Sequence, residues 1–139
     1  MIGVIVGTHG KFSEELLRST SMVFGELENV AGVTFEPGES VNGLVDKFKA
    51  ALDTIDWSDG LIFLVDLFGG SPYNAASRIA ANYENMDIVS GVNLPMIVDV
   101  MVNRSTEQLG DLADLAIRAG QDSMKSFRSI KNSQTEEEL

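Results

Sequence analysis

The chain has no cysteine and one histidine. The first absence excludes a disulfide framework, thiolate chemistry and a cysteine-ligated metal centre. The second excludes a multi-histidine metal site built within one chain. No uninterrupted apolar run approaches the roughly 18 residues of a membrane-spanning helix. The start, Met1-Ile2-Gly3-Val4, lacks the basic stretch of a secretory signal. Positive charge is scarce: 10 Lys and Arg stand against 21 Asp and Glu, a formal net charge of −11. That sign disfavours nucleic acid and anionic membrane surfaces as partners. A cytoplasmic protein is the expectation. There is no internal repeat and no interdomain linker, and 139 residues suffice for one domain with one good core. With 44% hydrophobic and 22% charged residues, the composition is that of an ordinary globular protein.

What is present is organised around Val4-Ile5-Val6-Gly7-Thr8-His9-Gly10. An apolar run of Ile, Val and Gly reads as a buried parallel strand. Such strands deliver reactive groups at their carboxyl ends, where an open α/β sheet has its crevice. The tip of this one carries the single imidazole, a nucleophile and proton carrier near neutral pH. A lone histidine is ordinarily a surface or satisfied core residue. Its place at a strand end between two glycines, where backbone can approach a ligand closely, argues for a function.

Strands and helices alternate along the rest of the chain. Phe12, Leu16, Leu17, Thr20, Val23 and Phe24 form a helical stripe that Gly25 stops. Val30 to Phe35 reads as a strand closed by the Glu36-Pro37-Gly38-Glu39 turn. Ser40 caps a helix with Val41, Leu44, Val45, Phe48, Ala51 and Leu52 on one face. Leu61 to Val65 is a fully apolar strand ending on Asp66. After the Leu67-Phe68-Gly69-Gly70 loop, Ser71 at N-cap and Pro72 at N1 open a helix reaching about Tyr83. Asp87 to Ser90 is a short strand, and Met96 to Asn103 is helical. Ser105-Thr106-Glu107-Gln108 reads as a capping box for a helix that Gly120 ends. Ser123 to Arg128 alternates as a last short strand. The domain therefore spans residues 1–128, and 129–139 form a polar acidic tail, frayed from Asn132 on. The predicted fold is an α/β three-layer sandwich with a mostly parallel sheet in order 2-1-3-4.

In that order the crevice lies between the ends of strands 1 and 3, which carry His9 and Asp66. A carboxylate beside an imidazole fixes its tautomer and stabilises the imidazolium that develops during attack. Nδ1–H is assigned to Asp66 and Nε2 to the nucleophile. Taken alone, Asp66 serves equally well as a loop or helix cap. Gly69-Gly70-Ser71-Pro72 adds a helix start with free N–H groups and a hydroxyl, an anion cradle. A glycine pair before a helix is more often a plain turn; its place directly after Asp66 gives it meaning. Nucleophile, orienting carboxylate and phosphate cradle in one crevice fit phosphoryl transfer through a phosphohistidine.

Gly7-Thr8-His9-Gly10 together with the stretch from Phe63 to Ala76, which contains Asp66-Leu67-Phe68-Gly69-Gly70-Ser71-Pro72, resembles the IIA component of mannose-family phosphotransferase systems. Phe35 to Glu39 and Gly91 to Met96 are similar to loops of that family, and the resemblance covers about residues 1–128. It implies that His9 accepts a phosphoryl group from HPr and passes it to a IIB component during sugar import through membrane IIC and IID partners. By the same match Asp66 orients His9, while Ser71 with the Gly70 and Ser71 amides holds the phosphoryl oxygens. No cofactor and no metal is implied. The resemblance also implies a homodimer in which the short C-terminal strand crosses antiparallel to the partner's sheet. Leu67 and Phe68 replace the Thr and Trp of the familiar motif, removing a hydroxyl and reshaping the crevice rim. The chain stops soon after the domain, so the IIB partner is expected as a separate polypeptide.

Three rivals remain open at this point. A donor domain serving dihydroxyacetone kinase shares the chemistry with a different acceptor. A receiver domain phosphorylated on Asp66 needs an acidic pair after strand 1, where this chain has Thr8 and His9. A flavin or nucleotide module carries no phosphohistidine at all.

Overall fold

The computed structural model describes residues 1–133. Four strands form one all-parallel sheet: β1 (Gly3–His9), β2 (Val30–Phe35), β3 (Leu61–Val65) and β4 (Met86–Ser90), in order β2-β1-β3-β4. The predicted order 2-1-3-4 is the observed one. Six helices complete the described residues: α1 (Phe12–Phe24), α2 (Val41–Leu52), α3 (Ser71–Ala80), α4 (Leu94–Asn103), α5 (Leu109–Asp122) and α6 (Phe127–Ser133).

The two central strands are the two apolar runs, and β3 is buried along its whole length. Strand alternation sorts their side chains into two cores. Val4, Val6, Ile62 and Leu64 pack with Leu16 of α1, Ile97 and Val100 of α4, and Leu112 and Ala116 of α5. Ile5, Phe63 and Val65 pack on the other face with Leu44 and Phe48 of α2 and Ala75 and Ile79 of α3. The Phe48 and Phe63 rings meet edge to face at 5.3 Å. Each fully buried Leu, Ile, Val or Phe stabilises the fold by about 1.5–3 kcal/mol. The register aligns Gly7 with Val65, so His9 and Asp66 leave adjacent strand ends.

The amino end of the sheet is closed by Arg104, which follows α4 and is only 4% exposed. Its guanidinium donates to the carbonyls of Glu28, of Asn29 at 3.1 Å and of Ile2 at 3.5 Å. Burial pulls its pKa below the ordinary arginine value, with Glu28 acting in the opposite direction. Asn29, in the left-handed region at φ 56°, ties the same end to the next loop. Its side-chain amide donates to the Asp56 carbonyl at 2.6 Å and accepts from the Asp56 N–H at 2.7 Å.

Several local expectations are corrected. Ser123 to Arg128 is not a strand: a turn leads into α6, and the sheet has no antiparallel member among the described residues. Alternation over four residues masked a three-residue spacing, Met124, Phe127 and Ile130, which is helical. Among the described residues no strand is present to make the exchanged antiparallel pairing. α6 also runs across the expected boundary at residue 128, and the tail beyond Ser133 lies outside the described residues. Gly120 does not end α5, which continues to Asp122. That glycine serves close packing instead, since a Cβ there would lie 3.0 Å from the Met96 methyl carbon. Ser105 to Gln108 is not a capping box: Gln108 itself is the N-cap and its side chain makes no capping bond. The helix predicted from Met96 starts at Leu94, because the Asn93 side chain accepts from the Met96 N–H at 3.0 Å. The Ser71 helix stops at Ala80.

Candidate active site

His9 ends β1 and Asp66 follows β3, and the two side chains meet. His9 Nδ1 lies 3.0 Å from Asp66 Oδ2 and 3.2 Å from Oδ1. The His9 backbone N–H donates to the same Oδ2 at 2.9 Å. An ionised carboxylate only accepts, so in the neutral imidazole this contact puts the proton on Nδ1 and leaves the lone pair on Nε2. Nε2 has no hydrogen-bond partner among the described residues. The imidazole is 44% exposed and the carboxylate 13%. The pair thus has a sheltered side, at the carboxylate, and an open side, at the imidazole.

Two contacts that the sequence reading missed complete the setting of the ring. Phe35, at the end of β2, faces it edge-on with centroids 5.9 Å apart and planes at 85°. The register pairs His9 with Phe35, so this contact was readable once the order 2-1-3-4 was assumed. From the side of the β3–α3 loop, Gly70 approaches the ring so closely that a Cβ there would lie 3.1 Å from His9 Cε1. The lack of a Cβ makes room for that approach.

The helix start expected to cradle an anion is present but differs in detail. Gly70, not Ser71, is the N-cap of α3, and Ser71 is the first helical residue. The Gly70 N–H donates to the Leu67 carbonyl at 3.2 Å, closing the loop, and so is not free for an anion. Pro72 has no N–H, which leaves the Ser71 and Tyr73 amides as the open donors of the first turn. The Ser71 hydroxyl makes no capping bond and is half-buried at the same end. Around the site the surface is apolar: Phe12 is exposed, as are Leu67 and Phe68, and the Phe68 ring leans on Tyr73 at 4.8 Å. Thr8 is fully buried, and its hydroxyl oxygen accepts from the Ser13 N–H at 2.6 Å, fixing the start of α1 beside His9.

Fold and site together define a doubly wound α/β domain with a carboxylate-held histidine at its switch point, next to a helix N-terminus. The chain belongs to the EIIA-man family: the family model described as PTS system fructose IIA component matches residues 3–117. It is 43% identical over 112 residues to the fructose-specific EIIA component of Bacillus subtilis, covering 81% of this chain and 77% of that one. It is 40% identical over 129 residues to the mannose-specific EIIAB component of Escherichia coli K12, covering 92% of this chain. It spans 40% of the length of that two-part relative. Among solved structures, EIIA from Streptococcus agalactiae superimposes with a TM-score of 0.84 at 28% identity, covering 93% of this chain and 99% of that one. The IIA protein associated with the fucose utilization operon of Streptococcus pneumoniae gives 0.82 at 29% identity, covering 94% and 96%.

Proposed function

We propose that the protein is a phosphoryl carrier of a sugar phosphotransferase system. His9 Nε2 attacks the phosphorus of the phosphorylated HPr protein; the new N–P bond forms as the bond to the donor breaks. The imidazole, with its Nδ1 proton held by Asp66, carries the positive charge that develops. A IIB component then takes the phosphoryl group by the same displacement in reverse, for use by the membrane IIC and IID components during import. Ser71 supplies its hydroxyl and amide to the phosphoryl oxygens, since a helix N-terminus favours an anion. No cofactor takes part. The exposed Phe12, Leu67 and Phe68 give the two protein partners an apolar surface to cover.

One observation carries this reading: Nδ1 is committed to Asp66 at 3.0 Å while Nε2 is open. The same contacts count against phosphorylation of Asp66 itself, because its oxygens accept from the His9 backbone and lie against the His9 ring. A twofold homodimer belongs to the reading, with the exposed Met124 and Phe127 as apolar surface. Sedimentation of the full chain at one chain mass at micromolar concentration would remove that part. The central test is phosphorylation. With phosphoenolpyruvate, enzyme I and HPr, intact mass should rise by one phosphoryl group per chain, and the product should be acid-labile and stable to alkali, which cleaves an acyl phosphate. His9→Ala should take up none; uptake at the normal rate overturns the assignment.

A further inference from the structure

The end of β2 that carries Phe35 and the turn after it are held by a partly buried ion pair that makes no direct contact with His9. Lys47, on α2, donates from Nζ to the Thr34 carbonyl and, at 3.0 Å, to the Thr34 hydroxyl. It also lies 3.2 Å from each oxygen of the Glu39 carboxylate. Glu39 Oε1 in turn accepts from the Glu36 backbone N–H at 2.6 Å. Lys47 thus grips the residue before Phe35, and Glu39 grips the residue after it. The Phe35 carbonyl is held from the other side, where the Gly10 N–H donates to it at 2.7 Å. Gly10 is the residue after His9, and the Phe35 ring stands edge-on against the imidazole.

The fold alone does not account for this clasp. The turn already closes through the Glu39 N–H, which donates to the Glu36 carbonyl at 3.1 Å. The helix start is already capped by Ser40, whose Oγ accepts from the Gly43 N–H at 3.0 Å. Partly exposed ion pairs contribute little to stability, because solvent screens them. The β1–β2 ladder holds Thr34 and Phe35 through the backbone; the pair adds a hold on the two residues that flank Phe35 from the α2 side, and Phe35 is one wall of the imidazole setting.

We propose that Lys47 and Glu39 are positioning residues for phosphoryl transfer: their ion pair sets the orientation of the His9 ring through Phe35. The inference rests on His9 being the phosphoryl acceptor. Release of the clasp lets Phe35 and then the imidazole swing, so that Nε2 meets phosphorus off line. Small misplacements of a reacting group are costly to rate, and about a tenfold loss is expected here.

The test uses the full chain with HPr as donor, in single-turnover transfer. Wild type and His9→Ala are run first, so that failure of the acceptor assignment is seen separately from failure of the clasp. Lys47→Met removes the ammonium and keeps the stem. Glu39→Gln removes the ion pair but keeps an acceptor for the Glu36 N–H, and so guards against simple unfolding of the turn. Lys49→Met is the charge control, an exposed cation of the same helix outside the clasp. Lys47→Met and Glu39→Gln should each lower the maximal transfer rate about tenfold with the HPr concentration dependence unchanged. They should also weaken the Phe35–His9 nuclear Overhauser effect and shift the His9 ring nitrogen resonances. Lys49→Met should do neither. Lys47→Arg should recover most of the rate. Unchanged transfer and unchanged ring resonances in both clasp variants overturn the proposal. So does an equal loss in Lys49→Met, which would reduce the effect to net charge.

Discussion

The two ends of the parallel sheet are built on opposite terms. At the amino end, polar groups close on one another. Arg104 is buried among the carbonyls of Ile2, Glu28 and Asn29, and the Asn29 amide exchanges two bonds with Asp56. At the carboxyl end, polar groups are ordered but left incomplete. His9 is fixed through Nδ1 and open at Nε2, and α3 begins with unspent donors. Apolar Phe12, Leu67 and Phe68 stay in solvent around it. An all-parallel sheet forces this division, because every strand delivers its last residue to the same side. The lesson is that stability and reactivity are separable by position along the strands, and substitutions should sort the same way.

The largest effect should come from the closed end. Arg104→Met keeps the stem but removes the donors to three carbonyls. The Asn29 carbonyl keeps the Val4 N–H, which leaves two orphaned acceptors at about 1–3 kcal/mol each, so a loss of roughly 2–6 kcal/mol in unfolding free energy is expected. Urea denaturation measures it, while phosphoryl transfer well below the melting temperature should stay within about twofold of wild type. A large rate loss without a stability loss would erase the contrast between the ends.

Asp66→Asn should behave oppositely. An amide can hold Nδ1 in the wrong tautomer, and transfer should slow by on the order of 10², by analogy with triad carboxylates. Stability should change by less than about 1 kcal/mol. Rapid-quench measurement with labelled donor decides; a rate within about twofold of wild type would make Asp66 a structural residue. Ser71→Ala removes one donor to an anion and leaves the amides, so about 1.5 kcal/mol, or about tenfold in rate, is the expectation. If the variant transfers normally, the amides alone hold the phosphoryl oxygens.

The smallest effect concerns acid. The Glu36 N–H holds the Glu39 carboxyl below its ordinary value of 4.5, and Lys47 adds to the shift. At the other end, the Ser58 backbone and then its side chain hold the Asp56 carboxyl below 3.8. A carboxyl with a depressed folded pKa contributes stability above its unfolded pKa and loses it as pH falls through the folded value. Both turns should therefore loosen only below these ordinary values. Amide exchange at Glu36 and Ser58 followed through an acid titration checks it; loosening near neutral pH would contradict the assignment.

Much of this arrangement was legible in the sequence because its signals were long or redundant. The apolar runs 4–6 and 61–65 and the helical stripe of α2 fixed the layers, and the alternation of elements fixed the order. His9 and Asp66 followed from that order alone. What failed were short signals with two readings. Ser71 before Pro72 looks like a cap, yet Gly70 takes that place, because the chain must first pass close beside the His9 ring. Gly120 looks like a stop, yet the helix runs through it, and the Met96 methyl carbon packs against it. The α6 segment alternates over too few residues to separate a period of two from one of three. Phe35 carries no local mark of its role, which exists only through the register with His9.

The setting of the His9 ring has a kinetic consequence. Asp66 occupies one ring nitrogen, Phe35 stands at the edge, and Gly70 lies against Cε1. On the proposed reading a single atom, open from one direction, must serve both the protein that gives the phosphoryl group and the protein that takes it. Donor and acceptor then exclude each other, and no ternary complex forms. Turnover has to follow a ping-pong course, with parallel lines in double-reciprocal plots and each partner inhibiting competitively against the other.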